Sequence, residues 1–356
     1  METSLGGAHF APTTTYLNTA TAGLLPGRTA AALRDALEDA VSGRPTPGAG
    51  FPSVAEARAS FARLAGVAPE RVSVAAAVAT HVGLIAASLR AGAEVLVADG
   101  DFSSLVNPFA VRGDLKLRSV PLEDLAAAVR PGTDLVAVSS VQSADGRIAD
   151  LAAIRAAARA HGARTLVDAT QSAGWLPLRA ADFDFTVAGA FKWLLCPRGT
   201  SFLVVPEADG SGGLPLLFAG WAAGEDPWSS TYGPVGQLAR SARRYDESPG
   251  TLAYLAARHS LALVEEIGPE AIGAHDVALA DRFRAGLARA GHEPVPSPGS
   301  AIVAVPGLGH AEETLSRADV QVSVRAGNLR AAFHLYNTEA DVDRLLDVLS
   351  TVPARG

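Results

Sequence analysis

The chain has 356 residues, 48% apolar and 6% aromatic, a globular composition whose core must come mainly from Ala, Val and Leu. A formal charge of −7 with no basic stripe argues against nucleic acid as a partner. The single cysteine, Cys196, excludes an intrachain disulfide framework and points to a reducing, cytoplasmic setting.

The N-terminus, METSLGGAHFAPTTTYLN, carries neither a basic nor an apolar run of the kind a secretion signal needs, so none is expected. Residues 28–42 and 54–64 have the spacing of amphipathic helices, joined by the Pro/Gly-rich GRPTPGAGFP. From 70 to 205, short β-branched or apolar runs alternate with Ala-rich helical periods, the signature of a parallel α/β sheet. Strands are expected at 94–98, 115–120, 135–139, 165–168, 185–188 and 201–205, with helices at 122–129 and 151–160. Asp150 suits the N-cap of the second helix and Gly162 its stop. The uncharged stretch 72–89 is long enough to raise the question of a membrane span. Its alternating start and central Ala-Thr-His-Val-Gly predict strand, turn and helix instead. Segment 207–250 is loop-rich, with Trp221, Trp228 and Tyr232, and long irregular segments often line a site or an interface. Two long helices follow at 252–267 and 272–290, then strands at 300–305, 319–325 and 329–336, and a closing helix at 339–349. The expected division is an N-terminal segment 1–25, a large domain 26–252 and a smaller α+β domain 253–356.

Two lysines stand against twenty-eight arginines. Lys116 lies in a polar stretch, but Lys192, in AGAFKWLL, has no charged neighbour. A lysine there can snorkel its ammonium to water. It can equally be a desolvated amine able to form a Schiff base, which arginine cannot replace. TLVDATQSAG places Asp168 at the carboxyl end of an apolar strand, where open α/β sheets bind ligands, although such aspartates also cap helices. An acid and a lysine at successive strand ends form the pair that pyridoxal phosphate requires: an amine for its carbonyl and a carboxylate for its pyridine nitrogen. At 72–84 a strand leads into Ala79-Thr80-His81 at a helix start, suited to a phosphate ester.

The ordered segments YLNTATAGLLP, VATHVGLIAASL, VDATQSAG, AGAFKWLLCPRGTSFL, ESPGT and RAAFHLYNTEADVDRLLDVL resemble the class V aminotransferase family of pyridoxal-phosphate enzymes over essentially the whole chain. That group includes cysteine desulfurases, kynureninases, isopenicillin N epimerases and C–S lyases. The resemblance implies fold type I, with a mainly parallel sheet flanked by helices in the large domain. It implies that Lys192 forms the Schiff base, Asp168 pairs with the pyridine nitrogen and Gln171 bonds the cofactor's phenolic oxygen. Phe102 stacks on the ring, and Ala79, Thr80 and His81 form the phosphate cup. Gly250 and Thr251 reach the phosphate from the partner subunit, so a homodimer is implied. Arg330 clamps a substrate α-carboxylate, with Ser143 and Asn18 on the substrate side. Phe102 as plain core, Thr80 as a simple cap and Arg325 as either anion contact or salt-bridge residue stay open. His81 and His334 more often have structural roles, and Trp193 serves equally as core.

The departures bear on chemistry. No cysteine precedes Arg330 in VRAGNLR, and Cys196 does not take that place, so persulfide-forming desulfurase activity is not expected. Gly189 and Phe191 replace polar residues before the lysine. The expected function is Cα deprotonation of an α-amino acid, followed by β-elimination (C–S lyase) or transamination. Epimerisation, or a silent cofactor-binding homologue, is the alternative. Neither a metal nor a membrane partner is expected.

Overall fold

A computed structural model describes residues 4–206 and 213–352. In chain order its first part comprises β1 (Thr15–Tyr16), α1 (Gly27–Ser42), α2 (Phe51–Leu64), β2 (Val72–Ala75), α3 (Val78–Ser88), β3 (Glu94–Ala98), α4 (Ser103–Ala110), β4 (Lys116–Val120), β5 (Thr133–Ser139), α5 (Leu151–His161), β6 (Arg164–Asp168), β7 (Phe185–Gly189) and β8 (Ser201–Val204). The remainder comprises α6 (Thr251–Ile267), α7 (Pro269–Arg289), β9 (Ile302–Val305), α8 (Glu312–Arg317), β10 (Val320–Gln321), β11 (Ser323–Arg325), β12 (Asn328–Ala332) and α9 (Glu339–Ser350).

Seven strands form one sheet in the order β2-β8-β7-β6-β5-β3-β4, parallel except for β8, which runs antiparallel to both its neighbours. The parallel strands β3, β5, β6 and β7 read as nearly continuous apolar runs because helices cover both faces, leaving no polar side. The edge strand β4 is half open and carries Lys116 and Arg118, charges that discourage pairing with another edge. The second lysine of the chain is thus an edge-strand surface residue.

The reversal at β8 shapes the site. A parallel return from β7 would need a crossover helix. An antiparallel one does not, so residues 190–200 make only a compact turn beyond the carboxyl end of β7, and that turn carries Lys192. Behind it lies a core in which Phe61 of α2 stacks on Phe202 of β8, ring centres 4.3 Å apart, with Trp175, Trp193 and Tyr254 also buried.

The smaller sheet, β11-β12-β9, is antiparallel and shares a core with α7 and α9. Thr338 opens α9 with a reciprocal capping box to Asp341. The N-terminal segment is stitched into this part: β1 pairs with β10, Asn18 bridges Ala332, and Leu17 accepts a bond from the Ala332 amide. Among the described residues no helix is long and apolar enough to cross a membrane.

One expected helix is corrected. Residues 122–129 form a 3-10 turn, Leu122–Asp124, followed by irregular turns. Pro121 and Pro131 bracket the segment, leaving too little chain for a stable α-helix, and Leu122, Leu125 and Val129 still bury themselves beneath the sheet. The expected strands 319–325 and 329–336 are likewise shorter. The first divides into β10 and β11, which join different sheets, and the second ends at Ala332. The helix α4 was not foreseen, because Pro108 inside it masks the helical period.

Gly23 marks a close crossing of the N-terminal segment over the Lys192 turn. Its amide donates to the Phe191 carbonyl at 2.9 Å, and a Cβ there would lie 2.1 Å from the Lys192 carbonyl oxygen. Backbone cannot yield as a side chain would, so Gly23→Ala is expected to lower stability by about 1–3 kcal/mol in urea unfolding. An unchanged midpoint would show that the two segments are not pressed together.

Candidate active site

The carboxyl ends of β5, β6 and β7, the start of α3 and the 190–200 turn enclose a cavity of about 320 Å³. Its lining includes Ala76, Ala77, Val78, Phe102, Ser143, Asp168, Gln171, Lys192, Arg198 and Thr200.

Lys192 is 5% exposed, and among the described residues its Nζ makes no hydrogen bond or ion pair. The amine lies 5.1 Å from the centre of the Phe102 ring and 5.7 Å from that of Phe191. Burial lowers its pKa to about 8, Asp168 pulling the other way and Arg330, Arg198 and Arg325 adding to the fall. Its backbone is held on several sides. Gly174, at φ +108, lets the Trp193 carbonyl approach, and His334 Nε2 bonds that carbonyl at 3.0 Å. Ser260 Oγ donates to the Leu195 carbonyl at 2.7 Å, which fixes Leu195 in a left-handed conformation at φ +59.

Asp168 is buried at the end of β6, and its Oδ1 accepts the Thr170 amide at 2.8 Å. Burial raises its carboxyl to about 6, opposed by bonds from Thr170 and by Lys192. Thr170 also holds the end of β7, its Oγ1 accepting the Gly189 amide at 2.8 Å. Phe102 is 45% exposed, presenting its ring to the cavity instead of the core. Asp101 fixes that ring's backbone by accepting the Phe102 amide at 2.6 Å and the Ser139 amide at 2.8 Å.

Gln171 reaches the cavity, but its amide is spoken for. Nε2 donates to the Ala20 carbonyl at 3.0 Å and Ser143 Oγ at 2.9 Å, and Oε1 accepts Trp193 Nε1 at 2.8 Å. Arg330, 1% exposed on β12, donates from Nε to Ser323 Oγ at 3.1 Å, from Nη1 to the carbonyl and hydroxyl of Ser143, and from Nη2 to Thr21 Oγ1 at 2.9 Å. All these acceptors are neutral. Burial, with Arg325 nearby, lowers its pKa to about 9. A fully buried guanidinium with no carboxylate partner is prepared for an anion from outside. Asn18, which bridges Ala332 at the end of β12, has a buried Oδ1 with no hydrogen-bond partner among the described residues.

Ala79, Thr80 and His81, like Gly250, Thr251 and Cys196, are not among the residues lining this cavity. The cavity wall at α3 is Ala76, Ala77 and Val78, not Ala79, Thr80 and His81. The helix begins at Val78, and one turn on His81 is fully buried, its pKa lowered by burial to about 4. Gly250 stands at the N-cap of α6 and Thr251 opens it, with Thr251 lining a separate apolar cavity beside Phe51, Trp221 and Trp228. Cys196 is buried, its Sγ 3.3 Å from the Leu194 carbonyl, and burial pushes its thiol up. Arg198 was not foreseen as a cavity residue. It stacks on Phe191 at 4.3 Å, and its only advance sign was its place just after the lysine turn. Thr21 was also missed, since its partners lie some 300 residues away. Among the described residues no cluster of His, Cys, Asp and Glu could hold a metal.

The aminotransferase class-V family model matches residues 52–345. An isopenicillin N epimerase of Streptomyces clavuligerus is 31% identical over 342 residues, covering 83% of this chain and 84% of its own. An uncharacterized aminotransferase of Bacillus subtilis is 27% identical, covering 83% and 82%. Among solved structures, a cystine C–S lyase in complex with cysteine persulfide superposes with a TM-score of 0.83 at 22% identity over 95% of this chain and 98% of that one, a likeness of fold.

The lysine's buried charge has a measurable consequence. Its folded pKa of about 8 lies below its ordinary 10.5, so the folded state binds fewer protons between those values and the penalty is full below pH 8. Cofactor-free Lys192→Met is therefore expected to be more stable than the unsubstituted protein at pH 7, by on the order of 3 kcal/mol. The gap should close as pH rises from 8 toward 10.5. A gap independent of pH would show that Lys192 is not buried as a charge.

Proposed function

The chain belongs to the aminotransferase class-V family, whose cofactor is pyridoxal 5′-phosphate, and on that premise we propose that it acts on an α-amino acid, with Lys192 as both cofactor-binding amine and proton carrier. The observation that carries this reading is the buried Lys192 amine, without a hydrogen-bonding partner, facing the same cavity as Asp168. The site fits the cofactor's chemistry. A carboxylate for the ring nitrogen, an amine for the carbonyl, an aromatic flank at Phe102 and a cation, Arg198, for a phosphate all line one cavity.

Asp168 would hold the proton on the ring nitrogen, and burial beside Thr170 keeps its orientation fixed. The phosphate would lie where α3 starts, with Arg198 and Thr200 replacing the polar groups lost at Gly189 and Phe191. When bound, the cofactor supplies an electron sink that stabilises negative charge at the substrate's Cα. Arg330 would bind the α-carboxylate, with Ser143 and Asn18 beside it. Lys192 Nζ, released to the neutral amine, takes the Cα proton and holds it in the dry cavity. Elimination follows if a β-substituent departs with its bonding electrons, and amino transfer follows if Lys192 redelivers the proton to the cofactor's carbonyl carbon. Persulfide-forming desulfurisation is disfavoured, since Cys196 is buried and protonated and the turn before Arg330 carries no thiol. Epimerisation is the second reading, supported by the 31% identity with isopenicillin N epimerase.

The purified protein is expected to be yellow with stoichiometric cofactor, and Lys192→Ala to lose the lysine-dependent band. Incubation with candidate amino acids in D₂O separates the reactions. Elimination yields a keto acid with ammonia, transfer yields the pyridoxamine form, and epimerisation yields Cα-deuterated substrate of inverted hand. A colourless protein that takes up no pyridoxal phosphate would overturn the reading.

We propose a homodimer and a cytoplasmic setting as well. The described part of the irregular segment exposes Leu217, Phe218, Trp228 and Tyr232, with Trp228 at 73% and Tyr232 at 91%, an apolar concentration that a partner subunit would cover. It adjoins Thr251 through the cavity that Trp228 and Thr251 share, which supports Gly250 and Thr251 completing the partner's site. Trp228→Glu is expected to shift sedimentation from dimer to monomer, and an unchanged dimer would place the interface elsewhere.

A further inference from the structure

We infer that Arg325 forms a second anion subsite beside Arg330, so that the substrate is an amino acid carrying another carboxylate in addition to its α-carboxylate. The inference deepens the reading of the Lys192 cavity as an amino-acid site and rests on it.

The hairpin β11–β12 pairs Ser323 with Arg330 and Arg325 with Asn328, leaving Ala326 and Gly327 as a two-residue turn at φ +49 and +78. Both turn residues are left-handed, the geometry that closes a tight hairpin, and Ala326 adopts it without glycine's freedom. The turn is also backed at close quarters, since a Cβ on Gly309 would meet the Gly327 carbonyl at 2.6 Å. Just before Arg330 this chain has a short, braced hairpin that ends in a guanidinium.

That guanidinium converges on Arg330. Arg325 Nη2 donates to Thr21 Oγ1 at 3.1 Å and Arg330 Nη2 donates to the same oxygen at 2.9 Å, so at most the sum, 6.0 Å, separates the two nitrogens. Arg325 Nη1 bonds the Val324 carbonyl at 2.8 Å. Among the described residues neither arginine has an acidic partner, and all their acceptors are hydroxyls or carbonyls. Two like charges this close, one fully buried, repel unless an anion lies between or beside them. One α-carboxylate answers one guanidinium. The cofactor would not answer the other, because its phosphate would be held by the start of α3 and Arg198, in a cavity whose lining includes neither Arg325 nor Arg330. A second carboxylate on the substrate does, and Arg325, exposed at the hairpin tip and joined to Arg330 through Thr21, is placed to receive it.

Calorimetry with two probes of equal chain length, glutarate and pentanoate, tests this on the purified holoenzyme at low ionic strength. Glutarate is expected to bind at least about tenfold more tightly. Arg325→Gln should bring that ratio close to one while pentanoate affinity stays within about twofold, Arg325→Lys should keep part of the preference, and Arg330→Gln should weaken both ligands. Added salt should erode the glutarate preference. Equal affinities in the unsubstituted protein, or a preference that survives Arg325→Gln, would overturn the inference. The visible cofactor band, read on the same samples, reports separately on the Lys192 reading.

Discussion

An ammonium group removed from water and given no partner is among the costlier things a fold can hold, and the Lys192 turn shows how this one holds it. The turn between β7 and β8 is fixed from the N-terminal segment by Gly23, from the β6 side by Gly174, from α6 by Ser260 and from the end of β12 by His334. His334 is itself pinned by Asp276 of α7 at 2.9 Å, both wholly buried. The smaller sheet and the long helices α6 and α7 therefore bear directly on where the amine points.

The cavity's electrostatics run against those of the whole chain. A protein of net charge −7 brings Arg198, Arg325 and Arg330 close enough to Lys192 to lower its pKa, and the buried acid set against them, Asp168, accepts the Thr170 amide while Asp101 is occupied by backbone amides and Ser139. Most other arginines of the described chain do pair with acids, as Arg58 with buried Asp246 and Arg118 with Glu94 show. Among the described residues Arg198, Arg325 and Arg330 make no such pair, and all three act on Lys192, where a ligand with several negative charges would enter. Cations left unpaired in low dielectric stabilise an incoming anion more than they would in water, and they stabilise nothing until it arrives.

How much of this was legible depended on how locally each feature is written. Asp168 and Lys192 were readable because each ends an apolar run, and a strand's end is set by the same residues that form the strand. The parallel sheet followed from the alternation of such runs with Ala-rich helices. The expected helix at 122–129 failed because periodicity says nothing about the length available between two prolines. At the start of α3 the cavity wall is Ala76, Ala77 and Val78, directly before Ala79-Thr80-His81, since a helix start is known only to within a turn from pattern alone. Gln171 was found at the cavity, but its internal bonds to Ala20, Ser143 and Trp193 were invisible in VDATQSAG.

By itself the sequence determined the fold class, the pair of strand ends that carry acid and amine, and a lysine used where arginine would not serve. Those are properties of short segments, written in periodicity and residue type. Only the tertiary structure decided that Lys192 is without a hydrogen-bonding partner, that Arg198 enters its cavity, and that Arg325 and Arg330 meet at Thr21 across some 300 residues of chain. Burial and charge pairing are properties of what comes together in space, and no local pattern encodes which distant groups will be absent.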